Sequence, residues 1–137
     1  MKKNFIFLAL LFGFFSGFSQ NIVYLDDKTF KEKIWNYDKN PEWKYEGTTA
    51  VLIEFYAEWC KPCKLMAPHL EELQTEYGSR LQIYKINIDS YVKPPQMLNI
   101  NSIPTVLYIE KSGIYHRVES YKDKDQIKKL IQTKLAI

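Results

Sequence analysis

The sequence predicts an α/β fold, with a central mixed β-sheet and helices on both of its faces. Three observations carry this expectation. Residues 51–56 form a near-continuous apolar run, as a strand buried on both sides does. Met66, Leu70, Leu73 and Tyr77 then recur at steps of four, three and four residues, which is one face of a helix. Strand-like and helix-like segments alternate along the chain in the order β-α-β-α-β-α-β-β-α, a pattern that calls for layered packing.

Residues 22–25 are short and apolar enough for a first strand. Asp26 and Asp27 supply helix-start chemistry, and Phe30, Ile34, Trp35 and Tyr37 follow at helical spacing. Residues 36–49 are polar and aromatic, include Asn40-Pro41 and Gly47, and are expected to form a long loop or a partly ordered insertion. Trp43 and Tyr45 within it either pack on the body or present a partner surface. Packing is favoured, because large aromatics are seldom left in water. The helix that follows the apolar strand ends at Gly78 and contains Pro68, which removes a backbone donor and is expected to bend the axis. Residues 81–88 form the next strand, and a short helix is expected within 92–98. Residues 105–109 and 114–118 flank Lys111-Ser112-Gly113, which has the composition of a hairpin turn. In the last helix Ile127, Leu130, Ile131 and Leu135 share a face, and Asp123 with Gln126 fits a capping box. Crossover helices between successive strands imply parallel pairing, with the final hairpin adding an antiparallel strand.

Residues 1–19 are expected to lie outside that fold. Lys2 and Lys3 precede an almost wholly apolar run over 5–15, and Gly17-Phe18-Ser19 places small residues where a signal peptidase cleaves. Cleavage is placed after Ser19. The run is shorter than the ~20 residues a spanning helix needs, which favours a secretory signal over a membrane anchor. Residues 20–137 then form one domain with one core. Removing the two lysines lowers the net charge from +3 to +1. Near-neutrality gives no basis for binding nucleic acid or a membrane surface. Lys122, Lys124, Lys128, Lys129 and Lys134 fall on the polar side of the last helix and suit a solvated face.

The chemistry centres on Trp59-Cys60-Lys61-Pro62-Cys63, which holds the only two cysteines of the chain. It sits between the apolar strand and the helix. Two thiols at i and i+3 on a first helical turn can form and break a disulfide, and the positive helix end favours a thiolate at Cys60. Lys61 adds a full positive charge, and Cys60 is expected to be the exposed, attacking thiol. Cys63, one turn in, is expected to be more buried and to resolve the mixed disulfide. Pro62 stiffens the turn. A disulfide between residues this close is no entropic staple, and no third cysteine is present to mispair. Zinc would need two further ligands, and His69 and His116 lack the spacing, so no metal is expected.

Glu54 is an acid inside an apolar strand. Either it is buried near Lys85 and serves Cys63 as a base of raised pKa, or it points to an edge and Lys85 is an ordinary surface residue. The apolar run around it favours the first. Ile103-Pro104 precedes a strand, where the peptide bond is cis or an ordinary trans. Trp59 is expected at the mouth of the site, and His69 on the surface.

Residues 55–64, with Ala67-Pro68, Lys85-Ile86-Asn87-Ile88-Asp89 and Ile103-Pro104-Thr105, resemble the thioredoxin family in order and spacing. The resemblance covers residues 22–136. With the N-terminal segment and the Trp43-Lys44-Tyr45 insertion, the chain looks most like the periplasmic thioredoxins of Gram-negative bacteria. This likeness implies a thioredoxin-like fold, a cis Ile103–Pro104 bond beside Cys60, and Glu54 in place of a buried aspartate, with Lys85 beside it. It also implies a substrate surface that includes Trp59, Lys61, Pro62, Ile103 and Pro104. Three residues depart from the pattern: Lys61 for a glycine, Glu54 for aspartate, and Ser120, followed by Tyr121, for a glycine before the last helix.

The expected activity is an exported, periplasmic thiol–disulfide oxidoreductase that reduces protein disulfides, acts as a monomer and needs no bound cofactor. The resemblance implies a membrane-embedded thiol carrier as electron donor. A disulfide oxidase or isomerase is the first alternative, and a redox-inactive binding module or chaperone the second.

Overall fold

The computed structural model describes residues 20–137, and the expected signal peptide at 1–19 lies outside the described residues. Five strands form one sheet: β1 (Val23–Tyr24), β2 (Ala50–Tyr56), β3 (Leu81–Asn87), β4 (Thr105–Ile109) and β5 (Tyr115–Glu119), in the order β1-β3-β2-β4-β5. Helix α1 is Asp27–Lys33, α2 Lys61–Tyr77, α3 Lys93–Met97 and α4 Lys124–Leu130. The sheet is mixed and has helices on both faces, as the sequence predicts.

The strand directions differ from the expectation. β1 and β2 run parallel to β3, but β4 is antiparallel to β2 and β5 is antiparallel to β4. The reversed strand is therefore β4, not β5. α3 has five residues, a rise of roughly 8 Å, whereas the seven-residue β3 spans roughly 23 Å. α3 does not span the length of the sheet. The chain turns over the sheet end and re-enters in the opposite direction.

Alternation along the strands divides the core into two layers. Ala50, Leu52, Leu81, Ile83, Val106 and Tyr108 face α2 and α4, where Met66, Leu70, Leu73, Tyr77, Ile127, Ile131 and Leu135 meet them. Val51, Ile53, Phe55, Ile86, Leu107 and Ile109 face the other way, against Phe30, Ile34, Trp35 and Leu98.

Local sequence sets the ends of the helices. Asp26 caps α1, accepting from the Thr29 N–H at 2.7 Å, and Asp123 caps α4 with Gln126 as its reciprocal partner. α2 continues unbroken through Pro68 and ends at Gly78, whose φ of +53° suits a residue without Cβ. After α4 the chain widens into a π turn, Ile131–Leu135, where an α-helix was expected to continue. In an α-helix each i to i+4 step drifts about 40° around the axis. That drift is small enough to leave i and i+4 on one face, and Ile131 and Leu135 are both buried across the wider turn.

Trp43 and Tyr45 pack against the body. Trp43 donates Nε1–H to the Gly113 carbonyl at 2.7 Å and meets Trp35 and Tyr115 edge to face at 5.5 and 4.8 Å. Tyr45 donates its hydroxyl to the Thr49 carbonyl at 2.8 Å. The C-terminal lysines are not all simply solvated: Lys124 reaches Glu72 at 2.6 Å and Lys128 pairs with Glu76, both on α2.

Gln74 does what a longer β1 would otherwise do. β1 covers only Tyr84 and Lys85, so the backbone groups of Leu81 and Ile83 on that side of β3 have no strand opposite them. The buried Gln74 amide accepts from the Ile83 N–H at 2.6 Å and donates to the Leu81 carbonyl at 2.8 Å. Gln74→Leu strands both groups, at roughly 1–3 kcal/mol each before the gain from extra apolar burial. The expected loss of about 2–4 kcal/mol is read from urea unfolding. A loss below ~0.5 kcal/mol would mean that water replaces the amide without cost.

Candidate active site

The dithiol stands where the C-terminal end of β2 turns into α2. Cys60 is the N-cap of α2, with Lys61, Pro62 and Cys63 following as its first three helical residues. The Cys60 N–H bonds the Ala57 carbonyl at 3.1 Å, and the Lys64 N–H bonds the Cys60 carbonyl at 3.2 Å. The two cysteines are joined in a disulfide, with Cα atoms 5.3 Å apart. The Cys63 N–H points at Cys60 Sγ, 3.3 Å away. When the pair is reduced, that donor and the positive end of α2 both favour negative charge on Cys60. Lys61 is exposed beside it.

One expectation fails here. Cys60 and Cys63 are 3% and 2% exposed, so exposure does not distinguish them in the disulfide. Both pack with Ala57 against Tyr56, Ile88 and Ile103, which cover the sulfurs. Their difference lies in position on the helix: Cys60 receives the N–H, and Cys63 supplies it.

The later motifs arrive at the same place. The Ile103–Pro104 bond is cis, as the resemblance implied. The Pro104 carbonyl accepts from the Ser120 N–H at 3.0 Å, which ties the loop after β5 to this edge of the site. Ser120 has φ of +73°, a left-handed conformation, at the position where the family pattern has glycine. Trp59 is 67% exposed and donates Nε1–H to Asp89 Oδ2 at 2.8 Å. Beside it a cleft of about 300 Å³ is lined by Trp59, Ile88, Ile100, Asn101, Ser102 and Ile103. It shares Ile88, Ile100 and Asn101 with a second cleft of about 400 Å³ that extends to Val92 and Pro95. A groove lined by both apolar and polar side chains thus runs away from the disulfide along the β3–β4 connection.

Behind the dithiol, Glu54 is completely buried and Lys85 is 6% exposed. They are register partners on β2 and β3, with Lys85 Nζ 3.2 Å from Glu54 Oε2. The edge alternative for Glu54 is thereby excluded. Neither carboxylate oxygen receives a well-directed hydrogen bond from the described residues. Burial raises the Glu54 pKa to about 7, against the opposing charge of Lys85. A cavity of about 170 Å³ is lined by both Cys63 and Lys85, together with Tyr24, Tyr56, Ala57, Glu58, Lys64 and Ala67.

The predicted residues Cys60, Cys63, Trp59, Lys61, Pro62, Ile103 and Pro104 thus gather at one end of the sheet, the two sulfurs and Pro104 buried there, with Glu54 and Lys85 behind them. His69 lies apart, its Nε2 3.2 Å from the Tyr121 hydroxyl. The sequence reading missed Asp89, which holds the Trp59 indole, and the two tyrosines around Lys85. Asp89 carried a signal, because it ends the Lys85-to-Asp89 motif at the C-terminal end of β3. No cluster of three or more metal-ligating side chains exists among the described residues.

Comparison with known proteins agrees with this geometry. The thioredoxin family model matches residues 21–133. A thioredoxin of Chlamydia caviae is 44% identical over 85 residues, 62% of this chain and 82% of that protein. A thioredoxin of Borreliella burgdorferi is 32% identical over 91 residues, 66% of this chain and 78% of that protein. In fold, the crystal structure of chloroplastic thioredoxin z superposes with a TM-score of 0.69 over 82% of this chain and 93% of that one, at 24% identity. With a disulfide capping a helix beside a cis-proline, and a family model spanning nearly all of the described residues, the chain belongs to the thioredoxin family and is a protein-disulfide oxidoreductase.

Proposed function

We propose that this protein is an exported, periplasmic reductase of protein disulfides. The observation that carries the reading is Cys60 at the N-cap of α2, with the Cys63 N–H directed at its sulfur. In the proposed cycle the Cys60 thiolate attacks one sulfur of a substrate disulfide. The substrate's other sulfur leaves as a thiolate and takes a proton from water. Cys63 loses its proton to Glu54 and attacks Cys60 Sγ. The second substrate thiolate leaves, and two electrons have passed from the pair to the substrate. Cys63 and Lys85 line one cavity and Lys85 Nζ lies 3.2 Å from Glu54, which supports the carboxylate as the acceptor of that proton. A base titrating near 7 is matched to that step. Trp59, Lys61, Pro62, Ile103 and Pro104 bound the surface where the substrate strand lies.

The redox group is the cysteine pair itself, so no other cofactor is invoked. A membrane-embedded thiol carrier returns the electrons, and the protein works as a monomer. Export rests on Lys2, Lys3, the apolar run over 5–15 and the small residues before Gln20. Cys63→Ser, made with the full N-terminus, should accumulate in the cell envelope as mixed disulfides through Cys60, beginning at Gln20. Recovery without covalent adducts would reverse the two cysteine roles. Recovery from the cytosol with Met1 intact would end the export reading.

Direction of electron flow is tested by the reduction potential of the mature protein, equilibrated against a thiol buffer. A value near the ~−270 mV of thioredoxin is expected, and one near the ~−120 mV of strong oxidants would make the protein a disulfide donor.

Glu54→Gln is expected to slow resolution of the mixed disulfide at least ~10-fold while leaving the first attack near its normal rate. Equal effects on the two steps would make Glu54 structural. Stability supplies an independent reading. Raising the folded pKa from 4.5 to about 7 means that the folded state holds this proton more tightly than the unfolded state. Its contribution is complete below pH 4.5 and is lost as pH rises through about 7, amounting to about 3 kcal/mol. Urea unfolding at pH 5 and pH 8 should show the Gln variant gaining on the native protein as pH rises. Parallel curves would contradict it.

A further inference from the structure

Lys85 has a surrounding that neither the fold nor the dithiol chemistry requires. Its Nζ lies over the ring of Tyr56, 4.5 Å from the centroid, and over that of Tyr24, 5.7 Å away. The two rings meet edge to face, with centroids 6.1 Å apart and planes at 76°. Register explains the arrangement. Lys85 stands opposite Tyr24 on one side and Glu54 on the other, so the three side chains form a row on one face of the sheet. Tyr56 follows Glu54 by two residues on β2 and closes the row from above.

Exposure makes the arrangement unusual. Tyr24 is 62% exposed, on a two-residue edge strand, while the ammonium it covers belongs to a residue only 6% exposed. A lysine has a four-carbon flexible stem, and its head ordinarily reaches for water. Here the route to water passes between two π faces, each of which attracts a cation. The other titratable groups lining this cavity are Glu58, Cys63 and Lys64. Lys64 is exposed at the start of α2, and Glu58 is exposed in the loop before Trp59.

We propose that Tyr24 and Tyr56 form an aromatic clamp that holds the Lys85 ammonium against Glu54, and that they are positioning residues for the resolving half of the disulfide exchange. The second part rests on the reading of Glu54 as the base for Cys63. Without the rings the ammonium swings into solvent. Glu54 then loses its opposing charge and binds its proton more tightly.

The test uses the reduced mature protein and its Tyr24→Leu, Tyr56→Leu, Tyr24→Phe and Tyr56→Phe variants. Titration of the Glu54 carboxyl carbon is followed by NMR, and the pH profile of mixed-disulfide resolution by rapid mixing. Each Leu variant should move the Glu54 midpoint upward by ~0.5 pH or more, the scale expected for a partly desolvated cation–π contact. The midpoint of the resolution rate should move with it. Each Phe variant, which keeps the ring, should stay close to the native protein. Leu variants that titrate like the native protein overturn the clamp, as do equal shifts in Leu and Phe. A downward shift, the result of water entering an opened cavity, also overturns it. If Tyr56→Leu fails to fold, Tyr24→Leu at its exposed position decides the matter. Should Glu54→Gln leave resolution unaffected, the base reading falls, and the carboxyl titration still reports on the clamp.

Discussion

Glu54 sits on the central strand with no solvent access, and a carboxylate there is costly unless a cation reaches it. β2 is covered on one face by α2 and α4 and on the other by α1 and α3, so the cation must come from within the sheet. Register leaves one source, the neighbouring residue on β3, and that residue is Lys85. The edge strand places the Tyr24 ring over the ammonium of that lysine. The sequence of β1, β2 and β3 is thus constrained along one row by a single buried charge. Removing either ion alone would leave the other buried and uncompensated, a larger loss than the pair's net worth. The pair therefore matters less for stability than for what it sets: a carboxylate that changes protonation near neutral pH behind a disulfide.

The same region shows how strictly backbone groups are satisfied. β1 is two residues long, which leaves the side of β3 away from β2 partly without a strand. An ordinary edge would turn those groups to water, but α2 crosses over them. Gln74, on the buried side of that helix, supplies one acceptor and one donor at the spacing of the missing strand. The helix that carries the dithiol at its first turn is therefore bonded directly to the sheet near its last. A 17-residue helix held at both ends gives Cys60 and Cys63 a fixed platform over Glu54.

Much of this was legible from residue spacing. The 3.6-residue period of α2, the Asp123–Gln126 capping box, the apolar run of β2 and the paired cysteines are local signals, and the structure reproduces each. What was not legible depends on distance in space. Nothing in the sequence around residues 105–109 tells whether that strand runs with or against β2. The connection over 88–104 is long enough for either direction, and the register with β2 decides it. Gln74 lies beside Leu73 and one turn from Leu70 and Tyr77, on the buried face of α2, and its role depends on the Leu81 and Ile83 backbone groups it meets in space. Tyr24 looked like a strand residue and nothing more, since its partner Lys85 is 61 residues away and only the parallel register joins them. The equal burial of the two sulfurs escaped because Ile88 and Ile103, which cover them, come from other strands' ends.

The direction of β4 is what assembles the site. The pairing of Phe55 with Thr105 places the start of β4 at the end of β2 that leads to Cys60. Ile103 and Pro104, just before that start, are consequently brought to the sulfurs. Had β4 run parallel to β2, its start would lie at the opposite end of the sheet, roughly 17 Å away for a strand of five residues. β5, antiparallel to β4 and so aligned with β2, completes the arrangement. Its last residue pairs with Thr105, so the Ser120 loop also arrives at this end and bonds the Pro104 carbonyl. β3, parallel to β2, delivers Ile88 and Asp89 there by its own direction. Four connections therefore converge at one sheet end because one strand among five is reversed, and the chemistry of the dithiol depends on that reversal as much as on the cysteines.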